Sequence, residues 1–147
     1  MKKVSLFLVA IVSMVMQSVT CLAGDMVIPA GQLPAAAQTF VKKNFPNTAI
    51  SYVTKEMEFM GATYEARLAD STEIEFDRNG NWDKVDCEYR AVPAALIPAA
   101  ISQFVKTNHA GASVVKIDKE RYGYKIELSN DLDLKFNRNG KFIGVDD

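Results

Sequence analysis

Apolar positions along this chain follow two periods. Leu33, Ala36, Ala37, Phe40 and Val41 are spaced as one face of an α-helix, with Gln38, Lys42 and Lys43 on the polar side. Pro34 suits the first helical turn, where its missing N–H leaves nothing unpaired. Pro46 ends the helix, because the residue before a proline avoids the helical region. The period then switches to two. Tyr64, Ala66 and Leu68 alternate with Glu65 and Arg67, and Ile74 and Phe76 alternate with Glu73, Glu75 and Asp77. Such alternation describes a sheet with one face on a core and the other in water. The pattern predicts strands over 49–56, 62–68, 72–77 and 82–88. In the first and last of these the spacing slips (Ile50 with Val53, Trp82 with Val85), which predicts a bulge or a loose strand end. Residues 25–32 read as a loosely held entry segment.

The last two strands of this set flank Phe76-Asp77-Arg78-Asn79-Gly80-Asn81-Trp82. The same stretch returns as Phe136-Asn137-Arg138-Asn139-Gly140-Lys141-Phe142. Asn-Gly between strand-like runs predicts a type I′ hairpin, with Asn79, Gly80, Asn139 and Gly140 all at positive φ. Other matches accompany it. Ile97-Pro98 answers Leu33-Pro34, Phe104-Val105-Lys106 answers Phe40-Val41-Lys42, and Tyr124, Ile126 and Leu128 answer Tyr64, Ala66 and Leu68. The offset between the copies shortens within the first hairpin, which places a deletion in its turn, where few contacts depend on length. The fold class expected is α+β, built from tandem duplicated αββββ repeats. Repeat one spans about 28–88 and repeat two about 92–147, with a linker over 89–95 between them. Joined edge to edge, the copies would share a core and leave fewer open sheet edges.

The N-terminus follows neither period. Lys2 and Lys3 precede an almost unbroken apolar run from Val4 to Met16, and small residues follow at Cys21 and Ala23. This predicts a secretory signal peptide over 1–23, cleaved near Ala23-Gly24, and a domain over 24–147 without a membrane span. Of 17 basic side chains the leader removes Lys2 and Lys3, leaving 15 against 18 acidic, a net charge of −3. That balance argues against nucleic acid and against an electrostatic membrane anchor. Cleavage also removes Cys21 and leaves Cys87 without an internal disulfide partner. The competing reading makes Cys21 the lipidated first residue of a lipoprotein, but Ser18-Val19-Thr20 before it fits such a site poorly.

These features together resemble the PepSY-like, β-lactamase-inhibitor-like family of proteins exported by gut and oral Bacteroidetes. The resemblance rests on the leader, Leu33-Pro34 through Phe45-Pro46, Tyr64-Glu65-Ala66 and the Phe76–Trp82 stretch, with weaker forms in the second copy. It implies strands in an antiparallel sheet with the helices packed on one face. It carries over no inhibitory residues, since no motif here matches any.

Candidate chemistry is sparse. Asp77, Asn79, Asn81 and Asp83 place oxygens at alternate positions as calcium loops do, but Gly80 stands too early and no bidentate Glu closes the loop. His109, the single histidine, stands where the first copy has Phe45 and reads as a packed or capping residue. Cys87 lies between Asp86 and Glu88, which disfavour its thiolate. Glu73, Glu75, Asp77, Asp131 and Asp133 read as a solvated strand face, with Arg67, Lys125 and Lys135 across from them. Among the aromatics, Tyr64, Tyr124 and Trp82 fall on core phases, which leaves Tyr89 and Tyr122 as the binding candidates. The expectation is a non-enzymatic module, without cofactor or metal, in the periplasm or at the cell surface. Its partner would be another envelope or extracellular protein, bound in the manner of an inhibitor or scaffold. The alternative is a small-ligand- or calcium-binding periplasmic protein. Adjacent exposed Tyr and Trp on the sheet would favour the first, and a deep polar pocket the second.

Overall fold

A computed structural model describes residues 25–146. The expected leader over 1–23, with Cys21, the candidate lipidation site, lies outside them. Nine strands form one antiparallel sheet in chain order: β1 (Met26–Ile28), β2 (Ile50–Glu58), β3 (Gly61–Leu68), β4 (Glu73–Phe76), β5 (Trp82–Asp86), β6 (Val114–Glu120), β7 (Gly123–Leu128), β8 (Asp133–Asn137) and β9 (Phe142–Asp146). Helices α1 (Ala35–Asn44) and α2 (Ala99–Asn108) precede β2 and β6. The class is therefore α+β. The two halves meet where β5 pairs with β6, Val85 opposite Ile117.

Both helices start directly after a proline, whose carbonyl accepts the first helical N–H groups: Pro34 from Gln38 at 3.1 Å and Pro98 from Ser102 at 3.0 Å. Each buries one narrow stripe, Ala37 with Val41 and Ile101 with Val105. The aromatic packing beneath them is matched. Phe40 meets Phe76 edge-on at 5.6 Å, and Phe104 meets Phe136 edge-on at 5.3 Å. Ile74, Val85, Ile117, Ile126 and Leu134 run across the sheet as one fully buried row.

Four details differ from the sequence-based expectations. Residues 26–28 are a strand, not a loose entry, because Met26, Val27 and Ile28 pair with Lys55, Thr54 and Val53 and Ile28 is buried. The Asn-Gly turns are not type I′. Gly80 and Gly140 have φ +83° and +75°, but neither Asn79 nor Asn139 is at positive φ. The Gly80 N–H donates to the Asp77 carbonyl at 3.0 Å and the Asp77 N–H to the Asn81 carbonyl at 2.8 Å. That is a turn closed by one left-handed glycine, and the Asp77 carboxylate takes up the N–H groups of Asn79 and Asn81 at 2.8 and 2.9 Å. The length difference between the first hairpins lies in the strands. β2 and β3 have nine and eight residues, β6 and β7 seven and six, and both hairpins turn in two residues. Asp131 is off the strand face, in the turn before β8 at φ +62°. The irregular spacing at both strand ends is bulging: the pairing shifts between Ile50 and Tyr52 and between Glu75 and Phe76.

Candidate functional site

The motif arginines explain how the sheet's ends are held. The Arg78 guanidinium donates to the Met60 carbonyl at 3.1 Å, and Arg138 to the Arg121 carbonyl at 3.2 and 2.6 Å. Each ties a glycine turn to the hairpin beside it. Strand direction puts residues 59–60, 77–81, 121–122 and 137–141 at the same end of the sheet.

At that end the β2–β3 hairpin carries Met57, Phe59 and Met60. Phe59 is fully exposed, and the two methionines are 68% and 76% exposed. The corresponding β6–β7 turn holds Arg121 and Tyr122. The Arg78 bond holds the turn of the longer hairpin by its backbone, at the Met60 carbonyl, and leaves the Phe59 and Met60 side chains exposed. The alternation runs on through Glu56-Met57-Glu58-Phe59, past the expected strand end, and closes on the adjacent apolar pair Phe59-Met60, and that is the signal by which these residues could have been found.

The sheet face opposite the helices is ionic. One register row runs Thr54, Glu65, Glu75, Lys84, Asp118, Lys125, Lys135, and the next runs Tyr52, Arg67, Glu73, Asp86, Lys116, Glu127, Asp133, Asp146. Lys84 donates to Glu75 at 2.8 Å, Arg67 to Glu73 at 2.5 Å, and Lys125 bridges Asp133 and Asp146 at 2.9 and 2.8 Å. Burial opposes the Lys84 charge, but the hydrogen bonds and charges of Glu75 and Glu73 outweigh it and raise its pKa. Beside the long hairpin the face sinks into a cleft of about 190 Å³, lined by Asp25, Glu56, Glu58, Glu65, Glu75 and Asp83 with Thr54 and Thr63. Burial, with Glu73 next in weight, pushes the Glu65 carboxyl up, and burial with the Asp77 charge does the same for Asp83. Among the described residues, Glu65, Glu73 and Glu75 bring carboxylate oxygens within 4.8 Å of one another.

The residues named from sequence are scattered. Tyr89 and Tyr122 are 93% and 70% exposed, but Tyr89 follows β5 at one end of the sheet and Tyr122 caps β6–β7 at the other, so they form no common site. Trp82 is on the helix side, with its ring 6.0 Å from Phe40 and the Lys119 ammonium 3.5 Å above it. The ionic face therefore has no Tyr–Trp pair. His109 closes α2 with its N–H on the Val105 carbonyl at 2.8 Å and its ring 5.9 Å from Phe104. Cys87 is buried and free of disulfides, and burial raises its thiol pKa. Asp77 spends its oxygens inside its own turn, including a bond from the Asn81 amide at 2.9 Å.

The fold and face define an α+β protein with a wide ionic sheet. The chain belongs to the PepSY-like family, whose model, described as "Putative beta-lactamase-inhibitor-like, PepSY-like", it matches over residues 19–60 and 62–144. Among solved structures it is similar to a "putative periplasmic protein of unknown function" from Bacteroides vulgatus, at 36% identity and TM-score 0.81, covering 84% of this chain and 100% of that one. It is similar at 37% identity and TM-score 0.79 to a "putative calcium-regulated periplasmic protein" from Bacteroides thetaiotaomicron, covering 84% and 97%. A further structure described as a "putative periplasmic protein" from B. vulgatus aligns at 34% identity and TM-score 0.80, covering 86% of this chain and 99% of that one. No curated protein matches. Among the described residues, no helix is long and apolar enough to cross a membrane.

Proposed function

We propose that this protein is an exported, non-enzymatic binding module that engages another envelope or extracellular protein through its β2–β3 hairpin. The observation that carries this is Phe59, fully exposed between Met57 and Met60 on a hairpin that outgrows its counterpart by two residues in each strand. Leaving a Phe in water forgoes about 1.5–3 kcal/mol that burial in a partner would recover. Apolar anchors at the centre of an interface are where binding energy concentrates. A non-catalytic role is supported by the single histidine packing on Phe104 and by the buried, weakly acidic Cys87. Export is supported by the leader pattern and by the relatives' description as periplasmic. The equal order of helix and four strands in both halves supports their origin by duplication. A photo-crosslinking residue at position 59, in cells of the source organism, is expected to yield a discrete protein adduct, and the same residue at exposed position 143 is not. Equal labelling from both positions would sink the reading. Intact-mass analysis of the exported chain should give a terminus at Gly24, and a diacylated terminus at Cys21 would replace it with a lipoprotein.

A second reading is favoured by the acidic cleft together with the calcium-regulated relative. A cation held by Glu65, Glu73 and Glu75 would have to displace Lys84 from Glu75. Thermal melts in calcium against chelator decide it, because a ligand of the native state raises the midpoint. A rise of several degrees, lost in Glu65→Gln, would establish the calcium reading.

A further inference from the structure

The acidic cleft opens beside the hairpin that carries the apolar tip and takes part of its lining from it, and their combination specifies more than a protein partner in general. Met57 and Phe59 alternate with Glu56 and Glu58 along the end of β2, so carboxylates flank the apolar tip. Farther down, the cleft continues the same sign through Glu65 and Asp83. The basic residues on this face are already engaged: Arg67 with Glu73, and Lys84 with Glu73 and Glu75. Among the described residues, Asp25, Glu56, Glu58, Glu65 and Asp83 have no cation at ion-pair distance. A surface of this kind repels an anionic membrane and attracts cations that carry apolar neighbours.

We infer that the hairpin recognises a cationic amphipathic segment of its partner, with Phe59 and its methionines taking the apolar side and the carboxylates of Glu56, Glu58 and the cleft taking lysines or arginines. The inference rests on the proposed function, and it adds the chemistry of the partner. Register supports the division of labour. At two cleft positions the other half reverses sign, with Lys125 at the place of Glu65 and Lys135 at the place of Glu75, while Glu120 keeps the acid of Glu56, and the turn there holds Arg121 and Tyr122 in place of Phe59 and Met60. The carboxylates of Glu65 and Glu75 thus accompany the apolar tip and are not a property of the scaffold. Burial and neighbouring carboxylates hold Glu65 and Asp83 above their ordinary pKa, the strain a bound cation would relieve.

The test uses fluorescence anisotropy of two labelled synthetic peptides with the same leucine pattern, one with lysine and one with glutamate at every polar position. The lysine peptide is expected to bind at least tenfold more tightly, with affinity falling as salt rises. Phe59→Ser should weaken it about tenfold, and Glu56→Gln with Glu58→Gln should flatten the salt dependence, while Ile143→Ser leaves both unchanged. All these side chains are exposed, so unchanged melting curves will certify the variants' folds. Equal binding of the two peptides, no binding of either, or indifference to Phe59→Ser would overturn the inference. A discrete crosslink from position 59 alongside any of those results would leave the proposed function standing and remove only the cationic specificity.

Discussion

The two halves of this sheet are built alike and decorated differently. Phe40, Phe45, Phe76 and Trp82 cluster under α1 as Phe104, His109, Phe136 and Phe142 cluster under α2. Proline starts both helices, and an arginine and a left-handed glycine close both second hairpins. The divergence is on the outer face and at the tips. Glu65 and Glu75 correspond by register to Lys125 and Lys135, Asp83 to Ile143, and the Phe59-Met60 turn to Arg121-Tyr122. Folding needs what the halves share. The outer face and the tips are free of that requirement, and the exposed Phe59 and Met60 and the acidic cleft lie on the N-terminal half.

The sharpest way to break this comparison is to ask whether the halves are one folding unit. Leu134 and Ile74 are equivalent and fully buried. Truncating either to Ala should destabilise by about 2–5 kcal/mol. Trp82 is the single tryptophan and reports on the N-terminal half. With β5 paired to β6 and the core row continuous, Leu134→Ala should shift the urea midpoint read from Trp82 fluorescence. An unmoved midpoint would mean that each half melts alone. The glycine turns come next. A Cβ on Gly80 would stand 2.8 Å from the Ala37 nitrogen and 2.9 Å from Pro34 Cβ, whereas one on Gly140 meets Ala100 Cβ at 2.9 Å and little else. Valine also resists positive φ at either place. Gly80→Val should lower stability by about 3–4 kcal/mol and Gly140→Val by about 2 kcal/mol. Equal losses in urea melts would show that the approach of the α1 backbone to Gly80 adds nothing.

These contacts mark where reading the sequence runs out. Both helices, four strands in each half and the buried phases of Tyr64, Trp82 and Tyr124 follow from periodicity, because burial on one side imposes it. β1 escaped it, since three residues are too few to show a period and their pairing with β2 is a long-range event. The turn type escaped it because Asn-Gly serves several turns, and here the Asp77 carboxylate and the approach of α1 to Gly80 select among them. Tyr89 and Tyr122 were legible as exposed rings, but no spacing could tell that they sit at opposite ends. The acidic cleft joins β2, β3, β4 and β5, so it is a property of register that no local pattern contains.

A smaller effect probes the ties between hairpins. Arg78→Ala removes a single bond to the Met60 carbonyl, and Arg138→Ala removes two to the Arg121 carbonyl. Each bond is worth about 1 kcal/mol net. Arg138→Ala should therefore lower stability slightly more, while Arg78→Ala should raise hydrogen exchange at residues 58–61 before any global loss appears. Unchanged exchange there would separate Arg78 from the shape of the β2–β3 hairpin.

The smallest expected effect is also the most specific to the comparison. Asp77 and Asn137 hold the same place in the two glycine turns, and the Asn137 side-chain oxygen accepts from the N–H groups of Asn139 and Lys141 at 3.0 Å each. Only Asp77 titrates. Burial pushes its pKa up, but bonds from the Asn81 amide and the backbone N–H groups of Asn81, Asn79 and Gly80 outweigh burial and hold it below the ordinary carboxylate range. A carboxyl depressed in the folded state stabilises fully above its unfolded pKa, about 3.9, and loses that contribution as pH falls through the folded value. Urea midpoints should therefore fall from pH 5 to pH 3 more steeply in the natural chain than in Asp77→Asn, so that the advantage of the natural chain is largest at pH 7 and shrinks in acid. The converse change, Asn137→Asp, should add an acid-sensitive contribution, because Lys141 replaces Asn81 beside that turn and favours a carboxylate. Parallel acid branches in all three proteins would mean that the turn's backbone holds carboxylate and carboxamide equally, and that the exchange of Asp77 for Asn137 between the turns has no bearing on stability.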